Sequence, residues 1–342
     1  MKKTLFFTLI LTICALLCSC NLDAQDGIHS AIASSIKESG TKIQSYLGYH
    51  DGHHYILTDT SIIRVGDESA LIDLSNTSTK ADYAALLSDG TFLVRRHDAK
   101  VVKYNADGTE VGVINENLKC NHLFSNGLIV GDENRTTGLF DSTGAIKVTI
   151  SNMKSFRQSG DYTLIETKAT DEAAMYYIYK GNAPSTALVS VAVAVGKDSS
   201  SSATVGFQAI SDTEFYVLKG DLNVYSITVD GSTASISKFT SIGYSIPSGK
   251  AYSFNYSVTD TESSTTTRYI VFKASGNFVR INLDKASDIT TVTSGYGTLK
   301  QTEVVNILPD EEKTGTFIVA TSSNSLWRID PTTTDDPVDM LK

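Results

Sequence analysis

Several short stretches of this sequence have residue types and spacings that could do chemistry. Tyr49-His-Asp-Gly-His-His-Tyr55 holds three of the six histidines. His50, His53 and His54 could meet at a transition metal, since imidazole suits zinc, nickel or copper. Their spacing runs around an Asp-Gly turn and not along one rigid face, so the stretch reads as a solvated polar turn. Cys120-Asn-His122 puts a thiol and an imidazole on one face of an extended strand. A metal would need further ligands that the sequence does not name, and a buried thiol beside a hydrogen-bonded histidine accounts for the pair. No Ser, His and carboxylate stand together for nucleophilic attack, although such triads are defined by geometry, not by order in the chain. No glycine loop cradles a phosphate, and the Asp-Gly turns lack the Asp/Asn/Gly spacing of a calcium loop. The expectation is therefore no catalytic residue, no metal and no cofactor. What remains is Arg95-Arg-His-Asp98 and Asp132-Glu-Asn-Arg135, two mixed-charge loops between apolar runs. The candidate binding residues are Arg95, Arg96, His97, Asp132, Glu133 and Arg135.

The elements that must position these loops are β-strands. From Tyr46 onward, runs of four to seven residues rich in Val, Ile, Tyr, Phe and Thr are broken by Gly, Asp, Asn and Ser. Thr91–Val111 is the clearest unit: a strand, a polar turn, a second strand over Val101–Tyr104, and the Asp107-Gly108 hairpin signal. Its second strand recurs as Ile63-Arg-Val65, Gly138-Leu-Phe140, Tyr177-Ile-Tyr179, Tyr225-Ser-Ile227, Val279-Arg-Ile281 and Trp327-Arg-Ile329. Another β-prone run precedes each copy. Seven units of about 41 residues, with room for four strands in each, match the length of propeller blades. A single four-stranded unit cannot bury both its faces, whereas a ring buries each against the next.

The body from about Tyr46 to Asp330 thus resembles a seven-bladed β-propeller of four-stranded antiparallel blades. It lacks the Trp-Asp pairs of WD40 repeats and the regular Asp-box of sialidases, so the resemblance reaches the fold and no particular propeller family. In such a ring the loops between second and third strands share a face with the loops between blades. Consecutive blades would then bring Arg95, Arg96, Asp132, Glu133 and Arg135 near one another. Pro331 and Pro337 mark residues 331–342 as a tail, because proline cannot feed a strand ladder. The outer strand of the last blade is then wanting. Ile28–Lys37 either supplies it, closing the ring, or forms a short helix outside. The Ser-rich run Gly196–Ser202 is a flexible loop, or else marks a boundary between two domains.

The first nineteen residues read as a signal peptide, with Lys2 and Lys3 before the apolar run Leu5–Leu17. Leu17-Cys-Ser-Cys20 resembles the lipobox of bacterial lipoproteins. That resemblance implies cleavage before Cys20, acylation of Cys20, a short tether over residues 20–27, and a mature chain of 323 of the 342 residues. Several acyl chains on one cysteine, at ~0.8 kcal/mol per buried methylene, make a stable membrane anchor. The expected address is the bacterial cell envelope, at the outer membrane. Cys120 is the one cysteine left besides the anchor, so no disulfide framework supports the fold. Loss of Lys2 and Lys3 leaves 27 basic against 38 acidic residues, which argues against a nucleic-acid partner.

These readings converge on a lipid-anchored binding or interaction module that presents propeller loops to a protein or glycan partner. The alternative is a propeller-type hydrolase or lyase acting on a glycan or peptide in the central channel. That alternative expects carboxylates or histidines converging on the axis, and the inner-strand segments read from the sequence (Ala84–Leu87, Ser155–Gln158, Val304–Leu308) are sparse in them.

Overall fold

The computed structural model describes residues 42–341, except 68, 77–79, 169–173, 193–202, 244–250, 275–276, 293–298 and 300–302. The signal peptide, Cys20, the tether, Ile28–Lys37 and the Ser-rich run Gly196–Ser202 lie outside the described residues. The rest forms twenty-eight strands, β1 to β28 in chain order, paired as seven four-stranded antiparallel sheets of consecutive strands. This is a seven-bladed β-propeller.

The innermost strands of blades 1 to 7 are β1 (Ile43–His50), β5 (Ala81–Leu86), β9 (Leu118–Leu123), β13 (Met153–Ser159), β17 (Thr204–Ala209), β21 (Tyr252–Thr259) and β25 (Val304–Pro309). The recurring segments of the sequence fall in the second and third strands. In blade 2 these are β6 (Phe92–Arg96) and β7 (Val101–Tyr104). In blade 3 they are β10 (Ile129–Glu133) and β11 (Thr136–Phe140).

Buried apolar residues run consecutively through the second strands, as in Tyr55-Ile-Leu57 and Phe92-Leu-Val94, so each blade is apolar on both faces and must be sandwiched. Seven apolar clusters do this, each between two successive blades. Blades 1 and 2 meet through Leu57, Ile62, Phe92 and Val94. Blades 2 and 3 meet through Leu93, Val101, Cys120 and Phe140. Blades 7 and 1 meet through Ile43, Ile56, Ile318 and Leu326. Phe92, Phe140 and Phe272 are completely buried, and each such ring contributes roughly 1.5–3 kcal/mol.

The ring closes differently from the sequence expectation. The fourth strand of blade 7 is β28 (Val338–Asp339), which pairs with β27 (Ser325–Ile329) through Arg328↔Val338 and Trp327↔Asp339. It lies inside the stretch read as a tail. Pro331 and Pro337 flank it without entering the ladder, and two residues suffice for an outer strand. The blade therefore has its four strands without Ile28–Lys37. The seam to blade 1 is then sealed side by side: Asn324 Oδ1 accepts the Ile43 N–H at 3.0 Å. The Asn306 amide accepts the Tyr46 N–H at 2.9 Å and donates to the Tyr46 carbonyl at 2.7 Å.

Two local features position the centre of the ring. In six of the seven blades the inner strand carries a bulge, at Gln44, Asp82, Asn121, Lys154, Val205 or Val305. A bulge adds an unpaired residue, sharpens the twist and re-aims the side chains around it. In five blades the turn after the second strand also ties down the start of the inner strand. The N–H groups of Asp59, His97, Lys168, Gly220 and Ser322 donate to the carbonyls of Lys42, Lys80, Asn152, Ala203 and Glu303. These turns and the entry to the central channel therefore share one face.

Candidate functional site

The seven inner strands enclose a channel of about 1150 Å³. Its wall is uneven. Across blades 2, 3 and 4, Tyr83, His122, Phe124 and Phe156 form a continuous aromatic patch. The His122 ring lies 4.6 Å from Tyr83, 4.7 Å from Phe124 and 5.0 Å from Phe156, and Phe124 meets Phe156 edge-on at 5.6 Å. Such offset and T-shaped arrangements suit the ring quadrupoles.

Polar groups stand around this patch. Arg157 donates from Nε to the Val205 carbonyl at 3.2 Å and from Nη1 to the Phe156 carbonyl at 2.6 Å. Burial pulls its pKa below the usual arginine value. Burial pushes the Tyr252 phenol up, with the Glu303 carboxylate and Tyr83 adding to it, while Arg157 opposes. Tyr83, Arg157, Tyr252 and Glu303 thus face a shared space.

The charged loops occupy the rim on blades 2 and 3. Arg95 turns inward. Its Nε donates to the Cys120 carbonyl at 3.1 Å and its Nη1 pairs with Asp82. Its guanidinium also lies 5.8 Å from the Tyr83 ring centre. Arg96 turns outward, to the Tyr104 hydroxyl at 3.0 Å and Glu110 at 2.7 Å. His97 is three-quarters exposed and lies 3.4 Å from Asp82.

On blade 3, Asp132 accepts from Asn121 at 2.6 Å and from Thr137. Glu133 accepts from Asn115 at 2.8 Å. Arg135 is exposed at the tip of its turn with φ 70°. The candidates therefore share a face on adjacent blades, but no ion pair joins one blade's set to the other's among the described residues. Of the other turns on this face, Lys219 is fully buried and Asn324 serves the blade 7–1 seam.

Two expectations need correction. Cys120 and His122 do not share a face. The bulge at Asn121 leaves Cys120 opposite Gly131 and His122 opposite Val130. Cys120 is sealed between blades 2 and 3 and its thiol is pushed up to about 12 by burial, which makes it inert. His122 joins the channel wall. The inner strands are also richer in titratable groups than expected, since Asp82, Glu303 and His122 all line the channel. Asp82 and Glu303 fall outside the segments read as inner strands, and the bulge at Asn121 hides from the sequence which face His122 takes.

The three histidines of the first turn part company. Asp51 and Gly52 make the turn between β1 and β2 (His53–Thr58), both with positive φ, and His50 pairs with His53. His54 alone is buried. It lies 2.9 Å from the Tyr46 hydroxyl and 3.2 Å from Glu312. With Asp310 and Glu312 it forms a cluster of metal-ligand type. Arg328 pairs with both of those carboxylates. A guanidinium among the donors supplies the positive charge that a cation would bring, so the cluster reads as a clamp on the blade 7–1 seam.

No family model and no curated protein matches the sequence. Solved structures match it in shape. The N-terminal domain of Nup159 gives a TM-score of 0.51 at 10% identity, over 84% of this chain and 88% of that one. A chain of the S. cerevisiae complex of Dbp5 bound to Nup159, Gle1, IP6 and ADP gives 0.53 at 11% identity, again over 84% and 88%. BamB from Moraxella catarrhalis gives 0.48 at 9% identity, over 84% and 96%. At these identities the likeness is one of fold, and propellers host many functions.

Proposed function

We propose that this chain is a lipid-anchored binding module of the bacterial cell envelope, held through Cys20, that captures a protein or glycan partner on the face carrying Arg96, His97, Glu133 and Arg135. The observation that supports this most is that neighbouring side chains hold the rim charges on a rigid ring. Arg96 is held by Tyr104 and Glu110, Asp132 by Asn121 and Thr137, and Glu133 by Asn115. Preorganised polar groups lose little entropy on binding and set partner choice by charge complementarity. Arg95 now has a different part in the reading: it braces Asp82 and the blade 2–3 seam, so the contact surface is the rim outside it.

The anchor bears on how a partner arrives. Lys42 lies in the channel lining, and its N–H donates to Asp59 in the turn between the second and third strands of blade 1. The chain thus joins the body on the candidate face. The twenty-one residues between Cys20 and Lys42 span at most ~75 Å when extended. That length leaves a partner room between the body and the membrane.

Crosslinking in intact cells tests the proposal, with the triple variant Arg96→Ala, Glu133→Ala and Arg135→Ala beside wild type. The partner crosslinked to wild type should be recovered at least tenfold less well with the variant. Equal recovery rejects this face. Cys20→Ser should move the protein from the membrane fraction to the soluble fraction. Continued membrane association would reject the anchor. Turnover of a saccharide or peptide by the purified protein would favour the hydrolase or lyase reading instead.

A further inference from the structure

The channel holds more than the rim requires. Tyr83, His122 and Phe156 turn partly open ring surfaces towards the cavity, and their rings come from three successive blades. Tyr83 and Tyr252 are half-buried, Glu303 is exposed, and all three residues line the channel. Lining one channel from blades 2, 6 and 7, these three groups offer hydroxyl and carboxylate oxygens to a ligand that enters it. Beside them stands Arg157, pinned by two backbone carbonyls and thus already oriented.

The charge balance narrows the class of ligand. The ionisable lining comprises Lys42, Lys80 and Arg157 against Asp59, Asp82 and Glu303. Three of each sign favour neither an anion nor a cation. The donors and acceptors are those that satisfy hydroxyl groups, which both give and accept hydrogen bonds. The aromatic wall supplies flat apolar surface with an electron-rich face, which suits the polarised C–H face of a pyranose. A cavity of about 1150 Å³ is also at or above the upper end of the usual ligand-pocket range, roughly 300–1,000 Å³.

We propose that the central channel is a saccharide site, in which a neutral oligosaccharide packs a ring face on Tyr83, His122 and Phe156 and hydrogen-bonds Tyr252, Glu303 and Arg157. This rests on the reading of the protein as a binding module, but it puts the sugar inside the ring and leaves the rim to a separate contact.

Calorimetric titration of the purified chain lacking residues 1–19, carrying Cys20→Ser, tests it. The probes are cellotriose, chitotriose and mannotriose, each up to 10 mM. At least one should bind, and Tyr252→Phe should weaken that sugar about tenfold by removing one hydroxyl. Phe156→Ala should abolish its binding. If Phe156→Ala does not fold, Tyr252→Phe and Tyr83→Phe, which keep the ring and its packing, carry the test. Binding that none of the folded channel variants changes overturns the proposal, as does the absence of binding by all three sugars. The rim variant Arg96→Ala, Glu133→Ala, Arg135→Ala should bind the sugar like wild type. If it loses the sugar, the site is the rim and the channel proposal falls. If sugar binding is absent while the rim still captures its partner, the channel proposal fails and the binding-module reading stands.

Discussion

The ionic networks at the blade 4–5 and blade 7–1 seams are built in opposite ways. At the blade 4–5 seam the Glu166 carboxylate is wholly buried. Ser155 donates to it at 2.7 Å, Thr204 at 2.8 Å and Lys154 at 3.1 Å, and the Lys219 ammonium lies 3.9 Å away. Burial would raise the carboxyl pKa, but these donors and cations outweigh it, so the pKa is lowered. Lys219 is itself lowered by burial, against the pull of Glu166. At the blade 7–1 seam Asp310 is buried, but Glu312 is nearly half exposed, and Arg328 spans the two. The first network is dry and the second sits at the water's edge. The difference teaches that ring closure, where the first and last blades meet, relies on backbone mimicry by Asn306 and Asn324 over an apolar cluster and on the pairing of buried Asp310 with Arg328, with the half-exposed Glu312 contributing little.

The largest expected effect is at the dry seam. Glu166→Ala should cost about 3–5 kcal/mol, because it strands Lys219 in the interior. Glu166→Leu combined with Lys219→Met should recover most of that loss. Urea unfolding of the two variants checks this. A single-variant loss below about 1 kcal/mol would mean that Lys219 loses its proton freely and that the pair is not coupled.

Next comes the closing asparagine. Asn306→Ala leaves the N–H and the carbonyl of Tyr46 without their partners. Unmade bonds of this kind cost about 1–3 kcal/mol in a buried setting, and hydrogen exchange at β1 should quicken before the rest of the ring opens. Exchange that quickens evenly over all seven blades would show that closure is not a separate unit of stability. A turn follows at a slightly smaller scale. Gly108 has φ +86°, and an added Cβ would lie 2.2 Å from the Leu71 carbonyl oxygen of blade 1. The left-handed conformation alone costs a side chain about 1–2 kcal/mol, so Gly108→Ala should destabilise by at least that amount in the same urea series.

The strands behind these seams were largely legible in the sequence. The recurring triads from Ile63-Arg-Val65 to Trp327-Arg-Ile329 mark the third strand of every blade, because buried apolar residues there flank half-buried ones such as Lys103 and Arg280 in a period of two. The runs before them mark the second strands, whose two faces are both buried and whose apolar content is dense. β28 was not legible: two residues between prolines carry no periodic signal. The channel wall was hidden for another reason. A bulge at Asp82 or Asn121 shifts which neighbours face the axis, and neither composition nor alternation records a bulge. The loops of blades 2 and 3 could be placed on a shared face from loop order alone, yet the inward turn of Arg95 depends on Asp82, which the broken alternation conceals. The partnership of His54 with Glu312 joins residues 258 apart, and local reasoning has no access to it.

The smallest effect separates the two ionic seams most directly. Arg328 and then His54 hold the Glu312 carboxyl below its ordinary 4.5. A depressed carboxyl pKa gives stability that is complete above the unfolded value, about 4.5, and fades as pH falls through the lower folded value. Glu166 is shifted in the same direction, so both seams weaken in acid. Exposure divides them, because half-exposed ion pairs contribute about 0–1 kcal/mol and are screened by salt. Glu312→Gln should therefore cost less than about 1 kcal/mol at pH 7 and low salt, and nothing measurable at 1 M NaCl. Below pH 4.5 the Gln variant should lose stability less steeply than wild type, whereas the steep acid limb set by Glu166 should persist in both. If Glu312→Gln removed the acid limb altogether, the exposed seam and not the buried one would govern acid unfolding.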